Sequence, residues 1–517
     1  MGGAFPGAKS GGSLAVRGFV SVLLFLGYYL LALTVAGVLF FIPYAEIRYT
    51  GRLHYIWLPL FCIAAGIIVL WSILPRIDRF HPPGPRLFAE TEPRLFEEIG
   101  EVARRSGQET PREVYLVPGV TAWVAQRGGL MGIGGRRIMV LGLALLRALD
   151  INEFRAVLAH EFGHFCRGDT RLGSWVYRTR ANIERTLQRL RKQGKVLHGY
   201  ESIVQAPFVF YGNLFLRITQ AISRHQEYVA DGLAAASSGS DVLASGLRKI
   251  GMAGLAYEPF WANELLPVLN AGFLPPYAAG FGSFLESELV KKRLTEAIDR
   301  EIQSGSSSPY DSHPSLKERI GALSAFPGAR PPEGPQEPAA SLLGRESDLE
   351  RELFRFLNPA AGEKLKPISW DKVIEAVYVP YWQSLTQKHR ADLAGMTLQD
   401  LPARRTDFAA LARRMAEMAK LAATDDQAKA YAIYVIYAAT ASKLVKLGWQ
   451  ATAGFVRYVT LSCGNLSWEP LPQIEAVFMG VLPGDDWRAL CAKLGIAGVG
   501  LSDDGGPSPE AQPKGAT

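Results

Sequence analysis

Cysteine is scarce in this chain. There are four in 517 residues, Cys62, Cys166, Cys463 and Cys491, set far apart and without CxxC spacing. A disulfide framework is thereby excluded, and a reducing compartment is permitted. Cys166 lies two residues after His164, about 200° around a helix from it, which suits a small buried hydrophobe. Concentrated basic charge is also missing. The formal net charge of +7 is spread along the chain, and no Lys/Arg run is interleaved with a nucleic-acid motif. Nucleic acid is therefore not an expected partner, and anionic lipid accounts better for part of the excess. The opening MGG is not an acylation signal, because Pro6 stands where Ser or Thr is needed.

Charge is absent altogether from two stretches, Gly18 to Ile42 and Tyr55 to Leu74. As helices both are expected to cross the roughly 30 Å hydrocarbon layer. Pro43 and Tyr44 close the first run, and Trp71, Arg76 and Arg79 close the second, as interfacial signals. A cleaved leader fits less well, since the first run is long, lacks a small-x-small site and is followed closely by a second. Arg76, Arg79, Arg86 and Arg94 after the second run outweigh Arg48 and Arg52 with Glu46 in the short loop. The positive-inside bias then favours both termini in the cytoplasm.

Histidine is rare too, with 8 in the chain, yet two of them fall four residues apart in Val157 to Arg167, VLAHEFGHFCR. On a helix this spacing stacks the His160 and His164 imidazoles on one face. Two neutral imidazoles so placed can share one Zn²⁺ and leave Glu161 free to take a proton from a water at the metal. Asp150 followed by Glu153 reads as a capping box that starts this helix and leaves the histidines mid-helix. Such a site needs a third ligand. Glu227, 63 residues beyond His164 in ISRHQEYVADGLAA, is a candidate. Asp231, one turn on, could accept a hydrogen bond from a ligand imidazole, and Arg224 could orient one of the carboxylates.

Ahead of this helix, Thr91 to Ser106 has helical periodicity, and Val114 to Val117 and Arg137 to Leu141 read as strands around a Gly-rich segment. Ala122, Trp123 and Val124, within TAWVAQ, could form an exposed edge strand that pairs main chain to main chain with an extended peptide; an ordinary structural strand fits as well. Ser202 to Leu216 is apolar but short and interrupted by Pro207, Gly212 and Asn213, so a core or membrane-surface helix is expected there rather than a third span. His313 precedes Pro314, which is suited to begin a helix.

AVLAHEFGH (Ala156 to His164), SRHQEYVAD (Ser223 to Asp231) and DSHPSLKERI (Asp311 to Ile320), in that order, resemble the integral-membrane zinc metallopeptidases of the HtpX and CAAX prenyl protease family. The resemblance covers roughly residues 90 to 325. It implies that His160, His164 and Glu227 bind one Zn²⁺, that Glu161 is the general base, that Asp231 supports from outside, and that His313 lies near the active site, where its imidazole could stabilise an oxyanion. Two departures stand out. The family's Asn-Ala-Phe-Ala-like edge segment is replaced by Thr121, Ala122, Trp123 and Val124, and the two hydrophobic spans that HtpX-like members often carry before the Glu helix are reduced to the broken run at Ser202 to Leu216.

The expected fold is mainly α with a small β-sheet. Residues 1–13 are expected as a disordered tail, 14–80 as a transmembrane helical hairpin and 81–325 as a zincin-like metallopeptidase domain. A Pro-rich linker at 326–345, a helical domain at 346–502 built around Trp370, Trp382, Trp449 and Trp487, and a disordered tail at 503–517 complete it. No nucleotide, metal or nucleophile motif stands in residues 341 to 500. The functional expectation is a membrane-anchored zinc endopeptidase at the cytoplasmic face of a bacterial inner membrane, acting on membrane or misfolded polypeptides. A scaffold with a structural zinc and a zinc hydrolase of a non-peptide bond are the alternatives.

Overall fold

The computed structural model describes residues 11–52, 56–73, 80–127, 136–165, 201–305, 314–324, 326, 337–453 and 459–502. The chain divides into two compact units, one of Met1–Gly254 with Arg293–Glu346 and one of Leu255–Lys292 with Ser347–Thr517. The expected peptidase boundaries of 81–325 thus cut differently. Residues 255–292 go with the C-terminal unit, and the crossings fall inside helices, where composition does not change.

The first unit opens with helix α1 (Gly11–Thr50), which runs through Pro43 rather than ending there and takes in residues expected in the disordered tail. Its stretch Val22–Thr50 has a mean hydropathy of 2.3 and is 18% buried, and among the described residues it is the helix long and apolar enough to cross a membrane. Helix α2 (Trp57–Ile73) has 17 residues. At 1.5 Å per residue this described part reaches about 25 Å, and both ends of the expected span, Tyr55 and Leu74, lie outside the described residues. Ala32, Ala36 and Leu39 of α1 pack with Cys62 and Val69 of α2.

A four-stranded sheet follows, with β1 (Arg86–Leu87), β2 (Glu113–Val117), β3 (Ala122–Arg127) and β4 (Arg136–Gly142) in the order β1-β2-β4-β3. β2 runs parallel to β4, and β3 runs antiparallel to β4 with Trp123 opposite Val140. β3 is therefore the edge strand expected at Ala122, Trp123 and Val124, and the Trp123 side chain is exposed. Helix α3 (Pro93–Arg105) is amphipathic and buries Leu95, Ile99, Val102 and Ala103.

Helices α4 (Leu143–Ala148) and α5 (Ile151–Gly163) lead into the candidate site. Asp150 caps α5 with the full box expected: its side chain accepts from Glu153 N, and Glu153 answers at Asp150 N. Helix α6 (Glu201–Ser238) is continuous for 38 residues. The broken run at Ser202 to Leu216 is thus not a separate element but the first half of the rod that carries Glu227. The i to i−4 ladder around Pro207 and Gly212 is propagated from both sides, which a local reading of helix breakers underrates. This half meets α1, where Tyr211 donates its hydroxyl to Leu24 O and Phe215 is wholly buried beside Leu24 and Val209.

Helix α7 (Ser240–Phe260) sends Lys249 and Ser245 to Glu153, at 2.7 and 2.6 Å. Helices α8 (Glu288–Ser304) and α9 (Leu316–Leu323) follow. α9 is capped by Ser315, with Pro314 just outside it, so the helix starts two residues later than Pro314 suggests. The expected linker 326–345 ends early, because residues 337–345 are stitched into this unit. Ile151 N donates to Glu337 O, Ala339 N to Leu149 O, and Gly344 N to the buried Glu92 carboxylate.

The C-terminal unit is helical as expected, with Phe408–Met418 and Asp425–Lys446 among its longer helices. Trp382, Trp487 and Trp449 are buried in its core, while Trp370 is partly buried and donates its indole N–H to Pro276 O. It also contains a three-stranded antiparallel sheet, Gln450–Ala453, Val459–Cys463 and Leu466–Trp468, that periodicity did not reveal. Strands of three to five residues are too short for alternation to register.

Candidate metal centre

Two helices build the site. α5 packs against α6 at Gly163, where a Cβ would lie 2.7 Å from Ala230 Cα. Only glycine permits this approach, and Ala230 is itself wholly buried. The glycine inside HEFGH thus brings the histidine helix onto the Glu227 helix. His160 lies in the last turn of α5 and His164 is its C-cap, so the pair is not mid-helix as expected. The His164 backbone remains αR, and the rings still meet at 4.8 Å between centroids.

Nε2 of His160 is 3.6 Å from Glu227 Oε2, and Nε2 of His164 is 3.8 Å from Glu227 Oε1. These separations are too long for hydrogen bonds. They suit three atoms arranged around one ion, since tetrahedral ligands at about 2.1 Å from Zn²⁺ sit roughly 3.4 Å apart. Ligand atoms of His160, Glu161 and His164 also lie within 4.8 Å of one another, so Glu161 faces the same point. Glu227 is 2% exposed and lies beside both Nε2 atoms, whereas Glu161 is only partly buried. The donor set fits a divalent borderline-soft ion: two imidazole nitrogens, one buried carboxylate, and a second carboxylate at the open side.

On the far edge of the His160 ring, Nδ1 is 2.9 Å from Asp231 Oδ1. A carboxylate can only accept, so this contact assigns the ring proton to Nδ1 and leaves the Nε2 lone pair facing Glu227. Asp231 in turn receives two hydrogen bonds from Arg319, Nε to Oδ2 at 2.9 Å and Nη2 to Oδ1 at 2.5 Å. Burial alone would raise the Asp231 carboxyl, but the His160 hydrogen bond and the Arg319 guanidinium outweigh it and hold the group well below the usual carboxylate range. Burial likewise disfavours the Arg319 charge, and Asp231, Glu227 and Glu161 together restore it.

The expected residues come together unevenly. His160, Glu161, His164, Glu227 and Asp231 converge. The guanidinium of Arg224 is 3.5 Å from Glu318, and Arg319 supplies the cation beside Asp231. α9, distant in sequence, thus delivers the bidentate partner of Asp231. His313 and Cys166 lie outside the described residues. Arg319 and Glu318 were missed within DSHPSLKERI; the signal available was the Ser315-x-x-Glu318 box, which fixes a helix start and so puts Arg319 in its first turn.

A helix-borne imidazole pair facing a buried carboxylate is the arrangement used by metal-dependent hydrolases. Residues 89–326, just under half of the chain, match the model of peptidase family M48, a similarity that supports a metallopeptidase. The chain is similar to Protease HtpX of Chromohalobacter salexigens, 26% identical over 249 residues that cover 45% of this chain and 71% of the relative. Against Protease HtpX of Hahella chejuensis it is 25% identical over 244 residues, with the same shares. Against that of Escherichia coli K12 it is 26% identical over 203 residues, 35% of this chain and 66% of the relative. No solved structure matches the chain.

Proposed function

We propose that the protein is a membrane-anchored zinc endopeptidase in which His160, His164 and Glu227 hold one Zn²⁺. The observation that carries this reading is the facing of both Nε2 atoms toward one buried carboxylate, at 3.6 and 3.8 Å. When bound, the ion supplies Lewis-acid polarisation of the scissile carbonyl and a lowered pKa for water. Glu161, facing the same point, removes the proton from the attacking water and delivers it to the leaving amine nitrogen. Asp231 keeps the His160 proton on Nδ1, so that Nε2 stays available. The edge of β3, at Ala122, Trp123 and Val124, pairs with an extended substrate main chain, which selects unfolded segments and loops over folded domains. His313 is assigned to the active-site margin by its place in the family motif alone.

A scaffold with a structural zinc gains nothing from a base beside the metal, and Glu161 stands there. The apolar α1, together with the shorter α2, supports an anchor, and the arginines beyond α2 support a catalytic unit at the cytoplasmic face of a bacterial inner membrane. Loops of membrane proteins and misfolded chains near the bilayer are then the substrates within reach, and the role is membrane-protein quality control or processing.

One experiment tests the whole reading. Full-length protein in sealed inside-out vesicles should degrade an added unfolded polypeptide. A chelator should stop it, zinc should restore it, and right-side-out vesicles should show none. Glu161→Gln should keep about one zinc per chain while activity falls at least about a hundredfold. Full activity in the Gln variant, or cleavage indifferent to the chelator, would sink the mechanism. Cleavage by right-side-out vesicles would overturn the orientation.

A further inference from the structure

Arg224, Glu227 and Asp231 recur at three- and four-residue intervals along α6, so they share one helix face. α9 packs on that face. Its adjacent residues Glu318 and Arg319 reach the two outer members of the row, Glu318 pairing with Arg224 at 3.5 Å and Arg319 with both oxygens of Asp231. The charges alternate. A cation of α6 meets an anion of α9, and about two turns further along α6 an anion meets a cation. Shifting α9 along α6 so as to exchange the partners would set like charges together. Glu227 lies between the two pairs. Arg319 Nη1 comes to 4.0 Å from its Oε2, and Nη2 to 3.4 Å from His160 Nδ1. Glu318 is fixed in turn, because its carboxylate accepts from the Ser315 backbone N–H at 3.0 Å as the second half of the cap.

We propose that this two-pair clasp is the device that holds the metal ligands in register, with Arg319 as its positioning residue, so that the ion is bound tightly only while α9 is docked on α6. The inference rests on the metal-centre reading above. Charge balance gives it a physical basis. Three carboxylates, Glu161, Glu227 and Asp231, converge here and each interacts with Arg319. A divalent ion leaves one negative charge uncompensated, and the guanidinium supplies the remainder. Geometry gives it a second. Asp231 fixes the His160 ring only as far as Asp231 is itself fixed, and the bidentate fork is what fixes it. A merely structural ion pair would cost stability when removed but leave the metal affinity of the folded protein unchanged.

The test uses full-length protein in detergent, with the zinc dissociation constant measured by competition against a chromogenic chelator and folding followed by circular dichroism. Arg319→Gln should remain helical, bind zinc about 10- to 100-fold more weakly, and lose kcat while KM stays near that of the parent. Arg319→Lys should recover only part of the affinity, since an ammonium cannot fork across two oxygens. Arg224→Glu and Glu318→Arg should each weaken zinc binding several-fold, and the double swap should restore part of it, short of what loss of the Ser315 cap costs. A folded Arg319→Gln protein with parental zinc affinity would overturn the clasp alone, because the parent would still bind the ion. A parent that binds no zinc would overturn the clasp and the metal-centre reading together. If Arg319→Gln fails to fold, the swap decides, and no recovery in the double variant overturns the clasp.

Discussion

Both units bury a histidine against an aspartate that is itself paired to an arginine, and among the described residues only the first sets that histidine in a cluster that could hold a metal ion. In the first unit His160 Nδ1 meets Asp231, Asp231 meets Arg319, and Nε2 faces Glu227 beyond hydrogen-bond distance. In the second, His389 Nδ1 lies 3.4 Å from Asp392, Asp392 meets Arg414 at 2.5 Å, and Nε2 is 2.9 Å from the Tyr431 hydroxyl. The His–Asp–Arg chain is the same in kind. What differs is the second ring nitrogen, which a phenol occupies in one unit and which in the other looks toward a carboxylate and a second imidazole. Burial and charge pairing therefore do not distinguish a ligand histidine from a structural one; the partner of the remaining nitrogen does.

Four changes would break or sharpen this comparison. The largest effect is expected from Glu227→Ala, which should leave the protein unable to retain zinc through desalting and reduce peptidase activity to background. The matching change in the other unit, Tyr431→Phe, should leave zinc content and activity alone and cost on the order of 1 kcal/mol of stability. Metal analysis of the two purified variants checks both, and zinc retained by Glu227→Ala would mean that another residue completes the set. A smaller effect is expected from Gly163→Ala. The new Cβ would sit 2.7 Å from Ala230 Cα and push α5 off α6, at a cost of about 1–3 kcal/mol, with zinc affinity down roughly tenfold. Adding Ala230→Gly should return most of it, and a single variant with unchanged affinity would show that the close approach does not set ligand spacing.

The smallest effect belongs to His389. Burial pushes its pKa down, Asp392 opposes this and Lys388 adds to it, with the net shift downward. A histidine depressed in the folded state favours folding while neutral, so its contribution is complete above the ordinary value of about 6.5 and is lost as pH falls toward the depressed one. The urea midpoint of the second unit should decline as pH falls below about 6.5, and His389→Gln should flatten that decline. Equal slopes in parent and variant would place the pH dependence elsewhere.

The same contrast explains what was legible in the residues. Metal chemistry demands particular side chains at particular spacings, so His160, Glu161 and His164 could be read directly, and Asp150 and Glu153 announced the start of their helix. Glu227 and Asp231 were candidates by position, and the family resemblance was what singled them out, because one carboxylate on a helix looks like any other. Arg319 was not legible, since an ion pair between segments 88 residues apart leaves no periodic trace. Nor was the unit boundary, which crosses α7 and α8 without a break in composition. The stitching of residues 337–345 was hidden for a third reason. It is made by backbone groups of Glu337, Ala339 and Gly344, and a proline-rich composition speaks only of side chains.

One rod joins the two ends of the first unit. α6 touches α1 through Tyr211 and Phe215, and twelve residues further along, about 18 Å, it presents Glu227. A stiff lever of that length displaces its tip by about 1 Å for a tilt of three degrees, and a ligand atom has only a few tenths of an ångström of latitude around an ion. Whatever steadies α1 therefore steadies the carboxylate at the far end of the rod. Cutting away the N-terminal segment would therefore remove one of the bearings that hold Glu227 beside the two imidazoles.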